Sequence, residues 1–109
     1  MAFVVLTRRN LAALKSSLLS AFPDVGSGHA DESIAAGLGY RTHAALLASL
    51  KAQGNALVTV VFSEGAVSDR LRELAGLNIE GTAWMRDPLP DPSHVFNIRD
   101  WVKNVANQN

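Results

Sequence analysis

Apolar residues change their spacing midway along the chain. In the first half they recur every three or four positions. Leu11, Leu14, Leu18 and Phe22 form one such stripe, Ile34 and Leu38 a second, and Leu46, Leu47 and Leu50 a third. This is the helical period, so the pattern predicts three amphipathic helices. Thr7, Ser27 and Thr42 stand where N-caps are wanted, and Asp31 and Glu32 suit the positive end of a helix dipole. Pro23 stops the first helix, and "PDVGSG" is a turn. Gly39 falls at the left-handed position after the second helix, with Tyr40 placed to pack back on Ile34 or Ala35 as in a Schellman ending. Gly54 ends the third helix.

From Ala56 to Phe62 the run "ALVTVVF" is almost continuously apolar and predicts a strand covered on both sides. Ser63 then caps a helix with Val67, Leu71 and Leu74 on one face, ended by Gly76. "LNIEGTAWM" alternates at Leu77, Ile79, Ala83 and Met85, which predicts a second strand bulged at Gly81. Three prolines in "RDPLPDP" exclude a ladder there. Asp91 and Pro92 open a last helix with Val95, Ile98, Val102 and Val105 as its stripe and Trp101 beside it. At the N-terminus "FVVL" is either a short strand or a lead-in to the first helix. The expectation is one domain over residues 1–109, α+β or α/β. A helical N-terminal half of about three helices precedes a strand–helix–strand–helix unit with a small two- or three-stranded sheet. The unit from Ala56 to Met85 suits a right-handed parallel crossover.

Composition narrows the function classes. The chain has 109 residues, 48% apolar and 18% charged, which suits a packed globular domain. It has no cysteine, so disulfides, thiolate zinc sites and a cysteine nucleophile are excluded. A reducing cytoplasm fits. Ten basic and ten acidic residues cancel, whereas nucleic-acid binders usually carry a basic excess. No apolar run approaches the roughly 20 residues that span a bilayer. "MAFVVLTRRN" has its charges after a short apolar segment and does not read as a secretory signal.

The stretch "ESIAAGLGYRTHAALLASL" carries the sharpest functional hint. Ala35 allows close helix contact, Gly39 permits a tight turn, and Leu46 and Leu50 anchor the following helix. On these residues it resembles the second helix-turn-helix of AraC-type transcription regulators. The resemblance covers about a fifth of the chain and implies major-groove reading by Arg41, Thr42, His43 and Lys51, with Arg8 and Arg9 on phosphate. The family carries large aromatics at the two anchor positions, where this chain has leucines, and it carries two such motifs where this chain has one. The same stretch, with His29 and Asp31 before it, also resembles small uncharacterised bacterial proteins of plasmids and mobile elements, some with a glyoxalase-related label. That resemblance implies a bacterial accessory protein. The metal ligands that would justify the label are not identifiable.

No catalytic set stands out. His29, His43 and His94 lack the spacing of a helical metal site. Ser63 and Glu64 follow a strand and open a helix, where ligands often sit, but no glycine-rich phosphate loop is present. Asp87 and Asp91 read as a turn residue and a cap. The expectation is therefore a protein without enzymatic activity, metal or cofactor, acting on a protein partner or as a homodimer. Its binding surface would be an apolar patch of Trp84, Met85, Leu89 and Trp101. A DNA-binding regulator is the alternative. A small-ligand or enzymatic site near Ser63 and Glu64 comes third.

Overall fold

The computed structural model describes residues 2–85 and 89–91. In chain order it contains β1 (Ala2–Val5), α1 (Arg8–Ala21), α2 (Ser27–Gly37), α3 (His43–Gln53), β2 (Thr59–Phe62) and α4 (Glu64–Ala75). The fold is α+β, as the pattern requires. Three helices follow the first strand, and a second strand and a fourth helix follow them. The expected C-terminal helix, with Val95, Ile98, Trp101, Val102 and Val105, lies outside the described residues, as do Arg86, Asp87 and His94.

Local chemistry sets the helix ends. Thr7, Thr42 and Ser63 each accept a backbone N–H three residues on, from Asn10 (3.0 Å), Ala45 (3.0 Å) and Ala66 (3.1 Å). Ser27 is not a cap: Gly26 holds that position without a side-chain bond, and Ser27 is the first helical residue. Asp31 and Glu32 consequently lie past the first turn and bond sideways. Asp31 pairs with Lys15 (3.0 Å), and the Glu32 carboxylate accepts the His43 N–H (3.1 Å) at the start of α3. After α2 the chain forms the Schellman ending: Gly39 N–H donates to Ala36 and Tyr40 N–H to Ala35 (2.9 Å), with Gly39 at φ +90°.

The sheet differs from the expected crossover. β1 and β2 pair antiparallel in the register Phe3↔Val61, Val4↔Val60, Val5↔Thr59. Residues 77–85 form no strand. Gly81 at φ +80° sits in a turn closed by Thr82 N–H on the Ile79 carbonyl (3.1 Å), and the Asn78 side chain accepts the Glu80 N–H (3.1 Å). The segment is held by two buried anchors, Ile79 and Trp84, rather than by a ladder. The run before Phe62 is also covered on one face only: Phe62 is buried while Val61 is exposed.

One core joins all these elements. Val4, Leu6, Leu14, Leu18, Ile34, Ala35, Leu46, Phe62, Val67 and Leu71 are nearly solvent-free within it. α2 lies at the centre, touching α1 and α3 and packing most extensively on α4. That last contact is close because of Gly37. A Cβ there would fall 2.5 Å from Val67 Cγ2 and 2.7 Å from Phe62 Cε2, and the Gly37 carbonyl accepts the Ser63 N–H (2.8 Å). Ala is favoured over Gly in a helix by about 1 kcal/mol, so an alanine that fitted would stabilise. Gly37→Ala is instead expected to lower stability by about 1–3 kcal/mol through overpacking, read by urea denaturation.

Candidate functional surface

Of the residues expected to form an apolar patch, Trp84 is buried in the core. Trp84 is 2% exposed and meets Phe62 edge to face, with ring centroids 6.0 Å apart and planes at 76°. Met85 and Leu89 are half-buried against the same core. Trp101 lies outside the described residues. Trp84 is a core residue because the chain turns at Gly81 and lays it across Phe62, instead of carrying it on a solvated sheet face.

The α2–α3 hairpin has the expected packing but a sparse outer face. Leu46 and Leu50 are buried, and the Tyr40 hydroxyl meets Ser49 Oγ at 2.9 Å, tying the turn to α3. Ala44, Ala45, Leu47, Ala48, Lys51 and Ala52 are the exposed residues of α3. Arg41 and Thr42 are exposed; Thr42 Oγ is occupied as the cap, and the Arg41 carbonyl accepts from Arg70 (3.4 Å). His43 is half-buried. Arg41 and Lys51 therefore stand at opposite ends of α3, roughly 15 Å apart along its axis, with alanines and a leucine between them. Arg8 and Arg9 are exposed at the start of α1, and Arg9 is paired with Asp91 (3.2 Å).

Ser63 is committed to capping α4. Beside it Glu64, Gly65, Ser68, Ile79, Glu80 and Thr82 line a cleft of about 320 Å³. Ser68 Oγ is buried there without a hydrogen-bond partner among the described residues. Among the described residues, no three His, Asp or Glu side chains gather as a metal site. No helix among them is long and apolar enough to cross a membrane.

The exposed apolar surface lies on the sheet. Directly paired residues share a face, so Phe3, Thr59 and Val61 lie on the outer face beside Val5, which is itself buried, and Val4, Val60 and Phe62 point to the core. Phe3 is 44% exposed, Val61 43%, and Leu57, just ahead of β2 and in the same outward phase, 75%. The hydrophobic run itself was legible, but which face it leaves open depends on β1 being its partner.

The two sheet edges are treated differently. Leu6 donates to the Val58 carbonyl (2.8 Å), which sets the phase of the ladder. Val60 and Phe62 then direct their N–H and C=O groups at β1, while Thr59 and Val61 direct theirs away from it. Two bonds agree with that phase. On β1 the outward Val5 carbonyl accepts from Asn10 Nδ2 (2.8 Å), and on β2 the outward Ser63 N–H reaches Gly37. The Asn10 amide also exchanges a reciprocal pair of bonds with the Asp91 backbone (2.8 and 2.9 Å). The Asp91 carboxylate accepts from Thr7 Oγ (2.7 Å) and Arg9 (3.2 Å), so it turns back toward the start of α1. Asn10, fully buried, thus behaves like a strand residue inserted beside β1. It closes the β1 edge at Val5. On β2, among the described residues, the backbone groups of Thr59 and Val61 have no partner.

No family model, curated protein or solved structure matches the chain. The surface is therefore read from its own geometry. Asn10 was not legible as a site residue, since an asparagine on a helix usually faces solvent. Its role predicts that Asn10→Ala lowers stability by about 2–3 kcal/mol, because the Val5 and Asp91 backbone groups lose their buried partner. Asn10→Asp, which keeps the acceptor but loses both donors, is expected to cost at least as much. Thermal or urea unfolding of the three proteins checks both.

Proposed function

We propose that the protein acts by binding another protein, and that it does so through the outer face and open edge of the β1–β2 sheet. The observation that carries this is the row Leu57, Val61 and Phe3, exposed on one face beside the backbone of Thr59 and Val61, which has no partner among the described residues. Extended peptides add to such edges through main-chain bonds, with alternate side chains supplying selectivity. Formal neutrality at ten charges of each sign also suits a protein partner better than a polyanion. The reading sets the chain among small bacterial accessory proteins of the cytoplasm, in keeping with its lack of cysteine. No catalytic step is assigned to it.

The second reading is a helix-turn-helix regulator. The Schellman turn at Gly39 and the buried anchors Leu46 and Leu50 favour it. The alanine face of α3 weighs against it, because Arg41 and Lys51 alone would have to supply both phosphate and base contacts there. Fluorescence anisotropy with mixed duplex DNA separates the two readings. The protein-binding reading predicts no binding at low salt. Micromolar binding that collapses with salt and is lost in Arg41→Ala would favour the regulator.

A photo-crosslinking amino acid placed at position 61 in cells tests the surface directly, with position 69 on exposed α4 as control. A discrete protein adduct from position 61 and none from position 69 is the expected result. Absence of any adduct from position 61 would overturn the reading.

A further inference from the structure

We infer that the protein partner is held by its C-terminus, its last residue an apolar one seated in a cleft at the end of the sheet with its carboxylate on Arg8. This rests on the protein-binding reading and names the part of the partner that is bound. The cleft, of about 370 Å³, lies where β1 runs into α1 and where the chain returns from α3 toward β2. Arg8, Arg9 and Gln53 stand in its lining, with Leu50, Ala56 and Leu57 as apolar neighbours. Leu57 belongs both to the cleft and to the exposed outer row. A peptide laid along that row from Val61 therefore reaches the cleft after roughly 13 Å of extended chain.

The charge of the cleft selects an anion. Arg8 and Arg9 open α1, and no acidic residue stands in its first turn. Cations there oppose the helix dipole, so the pair works against the stability of its own helix. The Asp91 carboxylate shows what that helix end takes: it accepts from Thr7 Oγ and from Arg9. One carboxylate against two guanidinium groups leaves a positive charge over, and Arg8 is exposed with no partner among the described residues. Gln53 adds a different demand. Its Nε2 donates to the Leu6 carbonyl (2.8 Å), which fixes the amide, and its Oε1 is buried with no hydrogen-bond partner among the described residues. A buried acceptor left open calls for a donor. A cation, an acceptor and an apolar wall together ask for a carboxylate, an N–H and an apolar side chain in one small group. The last residue of a peptide carries all three on a single Cα, and terminal carboxylates are a recurring handle for recognition. An acidic side chain brings the carboxylate without the apolar group, and an internal apolar residue brings no carboxylate.

Titration of the isotope-labelled chain with N-acetyl-valyl-leucine, followed by amide NMR, tests this. The free acid is expected to shift the Leu57 amide and the Gln53 side-chain amide, with dissociation on the order of 1 mM for so small a ligand. Its C-terminal amide should bind at least about tenfold more weakly, since it loses the charge-assisted bonds to Arg8. Acetate alone should leave both signals in place. Arg8→Gln should weaken the free acid at least about tenfold, yet its Tm should not fall, because the change removes a cation from the positive end of α1. A merely structural role for Arg8 would lower the Tm. No shift up to about 20 mM, equal affinity for acid and amide, equal shifts from acetate, or undiminished binding by Arg8→Gln would each overturn the proposal. If position 61 still gives its protein adduct, such a result overturns C-terminal capture and leaves the protein-binding reading standing. No adduct and no shift would remove both. Shifts without an adduct would remove the protein partner, and the proposal with it.

Discussion

The absence of a side chain at Gly37 is the constraint on which the arrangement depends. It lets the end of α2 descend onto Phe62 and Val67, so that β2 and α4 are packed against the central helix at their shared junction. The same approach brings the Gly37 carbonyl to the Ser63 N–H. The contact therefore does two things at once. It closes the core between α2 and α4, and it closes the β2 edge at Ser63. Thr59 and Val61, further from the junction, are left outside its reach. The open part of the edge is thus a consequence of where the helix ends.

A second device works on the other side of the sheet. Asn10 is a buried polar residue in a helix, and all its side-chain bonds go to backbone: the Val5 carbonyl and both backbone groups of Asp91. A side-chain amide has the donor and acceptor geometry of a peptide unit, so it can stand in for a strand where none runs. The clamp brings residue 91 beside residue 5 with the whole of the fold between them in sequence. Thr7 and Arg9 then hold the Asp91 carboxylate. With β1 closed in this way at the Val5 carbonyl, the exposed row of Phe3, Val61 and Leu57 lies between a partly closed edge and one on which, among the described residues, Thr59 and Val61 have no backbone partner.

Much of this was legible in the residue order because it depends on neighbours. Thr7, Thr42 and Ser63 cap helices by bonds that span three residues, and Gly39 ends α2 by a bond pattern contained within six. The stripe of Leu14 and Leu18 is buried as its period requires. What was not legible depends on contacts distant in sequence. The alternation at Leu77, Ile79, Ala83 and Met85 has the period of a strand, yet the segment is a turn pinned by Ile79 and Trp84, and two buried anchors alone can imitate that period. The pairing of β2 with β1 crosses three helices, so the run at Ala56 to Phe62 shows a strand but not its partner or its exposed face. Gly37 is one glycine among eight, and nothing local distinguishes the one whose missing Cβ matters. The burial of Trp84 was not legible for the same reason, since it is decided by Phe62.

The central claim is that, among the described residues, the β2 edge is open at Thr59 and Val61 while the opposite side of the same strand is bonded to β1. Residue-resolved amide hydrogen exchange tests it most directly. The account predicts an alternating pattern: slow exchange at Val60 and Phe62, whose N–H groups face β1, and fast exchange at Thr59 and Val61. Thr59 and Val61 amides as protected as that of Val60 would contradict it.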